Sequence, residues 1–189
     1  MISRLVEKGS PFRNVIMLIT GTSLAQAIPV AISPILTRLY SPDEFGTFAT
    51  YLALVSILSI IATGRYELAI MVPKRDREAA SVLGVSFGIS SVVSILLFFI
   101  ILLLHDKLSR LLNFDPDSSI LYWVPLSVGL TAAYQSLNYW CNRKGYYRVM
   151  SSTRVAQSAS MSGVHLGAGF VKLGSPGLIT GAISGQLFA

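Results

Sequence analysis

Charge is scarce in this chain, and acid is scarcest: 13% of residues are charged, and Asp and Glu together number 9 in 189. That is about half the charged share of an ordinary soluble domain, so a soluble fold of this size would lack the polar surface to cover itself. The single cysteine, Cys141, excludes an internal disulfide, and the two histidines, His105 and His165, lie far from it in sequence. No metal-ligand spacing results. A nucleophile with a base nearby and a phosphate-cradling glycine loop are also missing, so neither an enzyme nor a cofactor is expected. The net charge of +6 does not suggest a nucleic-acid partner, because that needs cations gathered on one folded face. Here they fall in short clusters between apolar runs.

What fills the chain is uncharged apolar sequence, 52% of it hydrophobic. A mildly basic leader, residues 1–13, carries Arg4, Lys8 and Arg13 against Glu7. Residues 14–37 then run without a charge, long enough at 1.5 Å per residue to cross a hydrocarbon core of about 30 Å. The small-residue pattern Ala25-Gln26-Ala27 resembles a signal-peptide cleavage site, but the apolar run continues past it. Pro29 and Pro34 lie within this span. Each removes a backbone donor and should bend the helix, which lipid tolerates only where neighbours satisfy the freed carbonyls.

The stretch Arg38 to Gly46 is a hairpin between spans. Ser41 suits an N-cap, Pro42 the first helical position, and Asp43 and Glu44 the positive end of the helix dipole. Further uncharged spans are expected over 45–64, 79–104, 119–141, 155–171 and 178–189. In the fourth, Gln135, Asn138 and Asn142 share one helical face. Ser and Gly crowd the fifth and suit close helix packing inside a bundle. Between these two, Tyr139 and Trp140 stand where apolar sequence gives way to a basic loop holding Arg143, Lys144, Arg148 and Arg154, with no acid among them.

With the N-terminus in the cytoplasm, inner segments hold Arg4, Lys8, Arg13, Arg65, Lys74, Arg75, Arg77, Arg143, Lys144, Arg148 and Arg154, which is 11 of the 15 basic residues. Outer turns hold Arg38, Lys107, Arg110 and Lys172. Short loops rich in Lys and Arg stay on the cytoplasmic side, so this bias sets the orientation. The sixth apolar segment stops without a polar flank, which reads as a piece of something longer.

Three stretches carry a family resemblance: Leu36 to Gly46; Arg65-Tyr66-Glu67-Leu68-Ala69-Ile70; and Leu137-Asn138-Tyr139-Trp140 with Arg143, Tyr147 and Arg154-Val155, followed by Gly177-Leu178-Ile179 and Gly185-Gln186. On these the chain resembles the amino-terminal half of the bacterial polysaccharide and O-antigen flippases, within the multidrug/oligosaccharidyl-lipid/polysaccharide superfamily. The resemblance implies an all-α polytopic bundle of about six spans, one lobe of a two-lobed transporter of twelve to fourteen. It also implies export of polyprenyl-diphosphate-linked oligosaccharide, an O-antigen, lipopolysaccharide or exopolysaccharide repeat unit. The unit would move from the cytoplasmic to the periplasmic leaflet of the bacterial inner membrane by alternating access, with membrane lipids and polysaccharide polymerase machinery as partners. A cation-coupled drug exporter of the same superfamily is the alternative. So is a non-transporting scaffold subunit of a polysaccharide assembly complex.

Diphosphate is best held by Arg, whose planar fork matches its oxygens. Arg65 and Glu67 are therefore candidate substrate residues if the second helix runs to Val72, and interfacial residues if it ends near Gly64. They cannot pair with each other, being two apart on a helix. Arg38 and Lys172 either ring an outer mouth or snorkel to headgroups. Gln26, Gln135 and Asn138 either line a sugar path or hydrogen-bond between helices. Tyr139, Trp140, Arg143, Lys144 and Arg148 suit a membrane-interface anchor. Pro29 and Pro34 are expected to act as hinges or to shape a cavity.

Overall fold

The computed structural model describes residues 11–112, 114 and 119–189, with side chains from Asn14 onward. Residues 1–10 of the leader and Asp115 and Asp117 of the outer link lie outside the described residues. The described chain is helical, with no strand. Its helices are α1 (Pro11–Leu39), α2 (Pro42–Thr63), α3 (Asp76–Leu111), α4 (Trp123–Lys144), α5 (Tyr147–Phe170) and α6 (Ser175–Leu187). Short 3-10 helices cover Tyr66–Met71 and Ser119–Tyr122. The all-helical expectation holds, but several boundaries move.

The Ser41 turn forms as its local sequence dictates. Ser41 Oγ accepts from Glu44 N at 3.3 Å, while Glu44 Oε2 accepts from Ser41 N at 2.6 Å. This reciprocal capping satisfies two backbone donors that a helix start leaves open. The expected basic loop is different. α4 runs on to Lys144, Gly145 turns the chain at φ 70°, and α5 already starts at Tyr147. Arg148 and Arg154 are thus helical, which corrects the expected start of the fifth span at Val155.

α1, α2 and α3 are long and apolar enough to cross a membrane. α4 and α5 have the length, at 22 and 24 residues, but carry more Ser, Gln, Asn and Arg. α6 has 13 residues, about 20 Å of helix, short of a hydrocarbon core of about 30 Å. α3, at 36 residues, overshoots that thickness, and its torsions leave the helical region at Leu104, where its apolar run ends. There His105 stacks on Tyr122, ring centroids 4.8 Å apart.

Chain neighbours are not always packing neighbours. α1 lies against α5, which lies against α6, while α2, α3 and α4 form a second group. α6 also meets α2 and α4, so the buried cluster of Tyr51, Val55, Leu121, Val124, Val128, Leu178 and Ile179 joins the groups. Close approach depends on glycine. A Cβ at Gly21 would lie 1.8 Å from Ser151 Oγ, and one at Gly181 would lie 2.1 Å from His165 Cδ2. Gly163 and Gly167 of α5, by contrast, face open space. The small residues that matter to the α5–α6 seam are Gly177, Gly181 and Gly185 of α6.

α1 continues through Pro29 and Pro34 as one helix. Proline at 29 deprives the Ala25 carbonyl of its helical donor, and Ser158 Oγ of α5 supplies one instead. Outward faces stay apolar: Val30 is 71% exposed and Leu103 78%, with Ile19, Ile61, Val92 and Phe99 also bare. Contiguous apolar exteriors of this extent suit lipid, not water, and the chain is a membrane protein.

Candidate functional site

The two ends of the bundle separate the charged residues. At one end, Tyr40 buries its ring and donates from its hydroxyl to His165 O at 2.8 Å. Glu44 lies beside Gly174, so the turn after α1 meets the turn before α6. Arg38 and Lys172 flank these turns, both exposed. Lys172 adopts φ 58°, a left-handed conformation that favours glycine.

At the other end the chain reverses through two consecutive left-handed residues, Gly64 (φ 53°) and Arg65 (φ 60°). α2 therefore stops at Thr63 and does not run to Val72, and the segment after it is the 3-10 helix. This break sends the two charged side chains apart. Arg65 is exposed, whereas Glu67 is 2% exposed. The 3-10 helix packs on α3 and α4, and Glu67 Oε2 is buried without a hydrogen-bond partner among the described residues. A carboxyl enclosed in an apolar bundle is costly and usually marks function.

Arg143 and Lys144 tie this corner together. Arg143 donates from Nη1 to Ile70 O at 3.2 Å and from Nε to Asp76 Oδ1 at 3.2 Å. Lys144 Nζ pairs with Asp76 Oδ2 and lies 5.2 Å from the Trp140 ring centroid. Asp76 stands three residues before the apolar run of α3, and the Lys144 and Arg143 hydrogen bonds hold its carboxyl below the usual aspartate range. The expected anchor residues thus clamp the start of α3 to the end of α4. Sequence reading missed Asp76 as their partner, 67 and 68 positions away.

Arg148 stands apart from that clamp, exposed and without an ion pair among the described residues. It borders two adjoining hollows along the α1–α5 seam, which also share Met17. One, about 570 Å³, is walled by Ile16, Leu24 and Val155; the other, about 510 Å³, by Asn14, Tyr146 and Tyr147. Arg154, one helical turn and a half further along α5, donates to Thr22 Oγ1 of α1 at 2.7 Å.

The remaining candidates are not gathered into one cavity. Gln26 is exposed on α1 and Gln135 half-buried on α4. Asn138 Nδ2 donates to Tyr134 OH at 3.4 Å beside a hollow of about 200 Å³ that Cys141 also lines. Tyr139 is half-buried near the end of α4. Two buried features went unnoticed in the sequence. His165 Nε2 lies 2.8 Å from Leu178 O, and Tyr51 OH lies 2.6 Å from Ser127 Oγ. The first ties consecutive helices, α5 and α6, and the second joins α2 to α4 across 76 positions; no local signal marks either.

Residues 35–189 match the profile of a family described as polysaccharide biosynthesis protein. No curated protein and no solved structure matches the chain.

Proposed function

Since the chain belongs to the polysaccharide biosynthesis protein family, we propose that it serves that process as a flippase without enzymatic activity, moving polyprenyl-diphosphate-linked oligosaccharide across the bacterial inner membrane. The observation that carries this is Glu67, a carboxyl enclosed within a lipid-facing apolar bundle, with the exposed Arg65 two residues away at the same end. Glu67 Oε2 makes no hydrogen bond among the described residues that would account for an acid there. A group that gains or loses charge as it meets a cation or proton suits a transport cycle. The exposed Arg65 and Arg148 give this end cations suited to a diphosphate. In this reading it faces the cytoplasm, where the lipid-linked sugar is made, and Arg38 and Lys172 mark the release side. Polysaccharide polymerase machinery would receive the product.

Glu67 also favours a second reading. A cation-coupled exporter of drugs would want a buried acid in this position, and transport of a lipid-linked oligosaccharide separates the two. The test compares wild type, Glu67→Gln and Arg65→Ala for surface glycan, with membrane abundance measured in parallel. Loss of glycan at unchanged abundance supports the flippase. Normal glycan in both variants, with altered drug efflux, supports the exporter instead.

A further inference from the structure

We propose that the α1–α5 seam seats the lipid end of the transported molecule, with its diphosphate at Arg148 and one prenyl chain laid along the furrow. This rests on the flippase function and adds where the lipid portion binds. The furrow has the polarity order of an amphiphile. At its polar end, Arg148 is joined by Asn14, Tyr146 and Tyr147, which offer a guanidinium fork, an amide and two phenols. Beyond Arg148 the walls turn apolar.

Of the three hydroxyls within that apolar part, Ser151 lies against Gly21 of α1, and the other two are engaged. Thr20 Oγ1 donates to Ile16 O at 2.8 Å and Ser152 Oγ to Val149 O at 2.9 Å, both within their own helices. The chain would therefore meet mainly methyl and methylene groups, with Ser151 at the floor of the seam. The lining follows a single seam, residues 16 to 24 of α1 against 148 to 155 of α5, about 12 Å of helix. A single seam of this length runs parallel to one chain, which a polyprenyl lipid has, and competition with a two-chain phospholipid tests that choice.

Charge points to the same occupant. No acidic residue occurs between Asn14 and Leu39 or between Tyr139 and Val155. Asp76, the acid paired at this end, is engaged by Arg143 and Lys144. Among the described residues no acid engages Arg148, which leaves it open to an external anion, and an arginine meets two phosphate oxygens at once.

The experiment measures binding of sugar-free polyprenyl diphosphate to the full chain in nanodiscs of phosphatidylcholine. Arg148→Gln removes the charge, and Thr20→Trp fills the furrow from an exposed position without touching the phosphate end. Each is expected to raise Kd by about tenfold or more, while equimolar phosphatidylglycerol leaves wild-type binding intact. Wild-type affinity in Thr20→Trp would overturn the proposal even if Arg148→Gln failed to fold. Displacement by phosphatidylglycerol would overturn it too, making the furrow a seat for ordinary anionic lipid. Flipping is scored separately in proteoliposomes. If the binding contrast stands and flipping is absent, only the flippase function falls; if flipping stands without the contrast, only the furrow does.

Discussion

Replacing Ser158 by alanine tests whether α5 compensates for Pro29 in α1. In wild type the Ala25 carbonyl has lost its helical donor to the proline ring and accepts from Ser158 Oγ. Ser158→Ala leaves that oxygen unpartnered in a nonaqueous seam. An unmade bond costs about 1–3 kcal/mol in protein interiors, but interhelical bonds in membranes average roughly 0.6 and reach about 1.7 kcal/mol. We expect a loss near 1 kcal/mol, since Ser158 is half-buried. Pro29→Ala returns an N–H to residue 29, which closes the ordinary helical bond to Ala25. In that background Ser158→Ala should cost no more than about 0.3 kcal/mol, the scatter expected of independent sites. The four proteins are compared by denaturing-detergent titration in mixed micelles, and the coupling energy is read from the cycle. Equal costs in both backgrounds would refute the compensation, and Pro29 would then be tolerated for another reason.

Gly181→Ala should lower the thermal midpoint in detergent, because the new Cβ meets the His165 ring at 2.1 Å. Overpacking of about 1–3 kcal/mol outweighs the roughly 1 kcal/mol that alanine gains over glycine in a helix; Gly167→Ala, facing open space, is the control and should be neutral or stabilising. Lys172→Gly should raise stability by about 1 kcal/mol by relieving its left-handed torsion, and a simultaneous fall in glycan export would show that the Lys172 cation serves transport. Asp76 has a depressed folded pKa, so its contribution is present above the unfolded value and lost as pH falls through the folded one. The stability gap between wild type and Asp76→Asn, measured by thermal melts across pH, should accordingly close in acid and shrink in high salt, since the Asp76 carboxylate is solvent-exposed.

Local chemistry was legible in the sequence and distant pairing was not. The Ser41 cap followed from four consecutive residues, and the apolar spans from hydropathy alone. The start of α5 was missed because the cations at 143, 144, 148 and 154 read as a loop. Arg148, Ser151, Ser152 and Val155 nevertheless fall at helical spacing, and that periodicity shows in the furrow. The depth of Glu67 turned on two left-handed residues, Gly64 and Arg65. Glycine there hinted at a stop, but arginine gave no hint of continuing the turn. Asp76 was visible as a charge, yet its partners across α4 depended on tertiary structure. Of the candidate site, the residue types at the Arg65 end were readable, while the separation of Gln26, Gln135 and Asn138 was not.

The packing of α1 on α5 also sets a timetable for biogenesis. Ala25 precedes Ser158 by 133 residues; at roughly 5–20 residues per second, their meeting waits on the order of ten seconds after α1 is made. Throughout that interval α1 has neither its seam nor a side-chain donor for the carbonyl that Pro29 leaves open. The α1–α5 seam therefore closes only after α5 has been made, so α1 spends its first seconds without the helix that completes it.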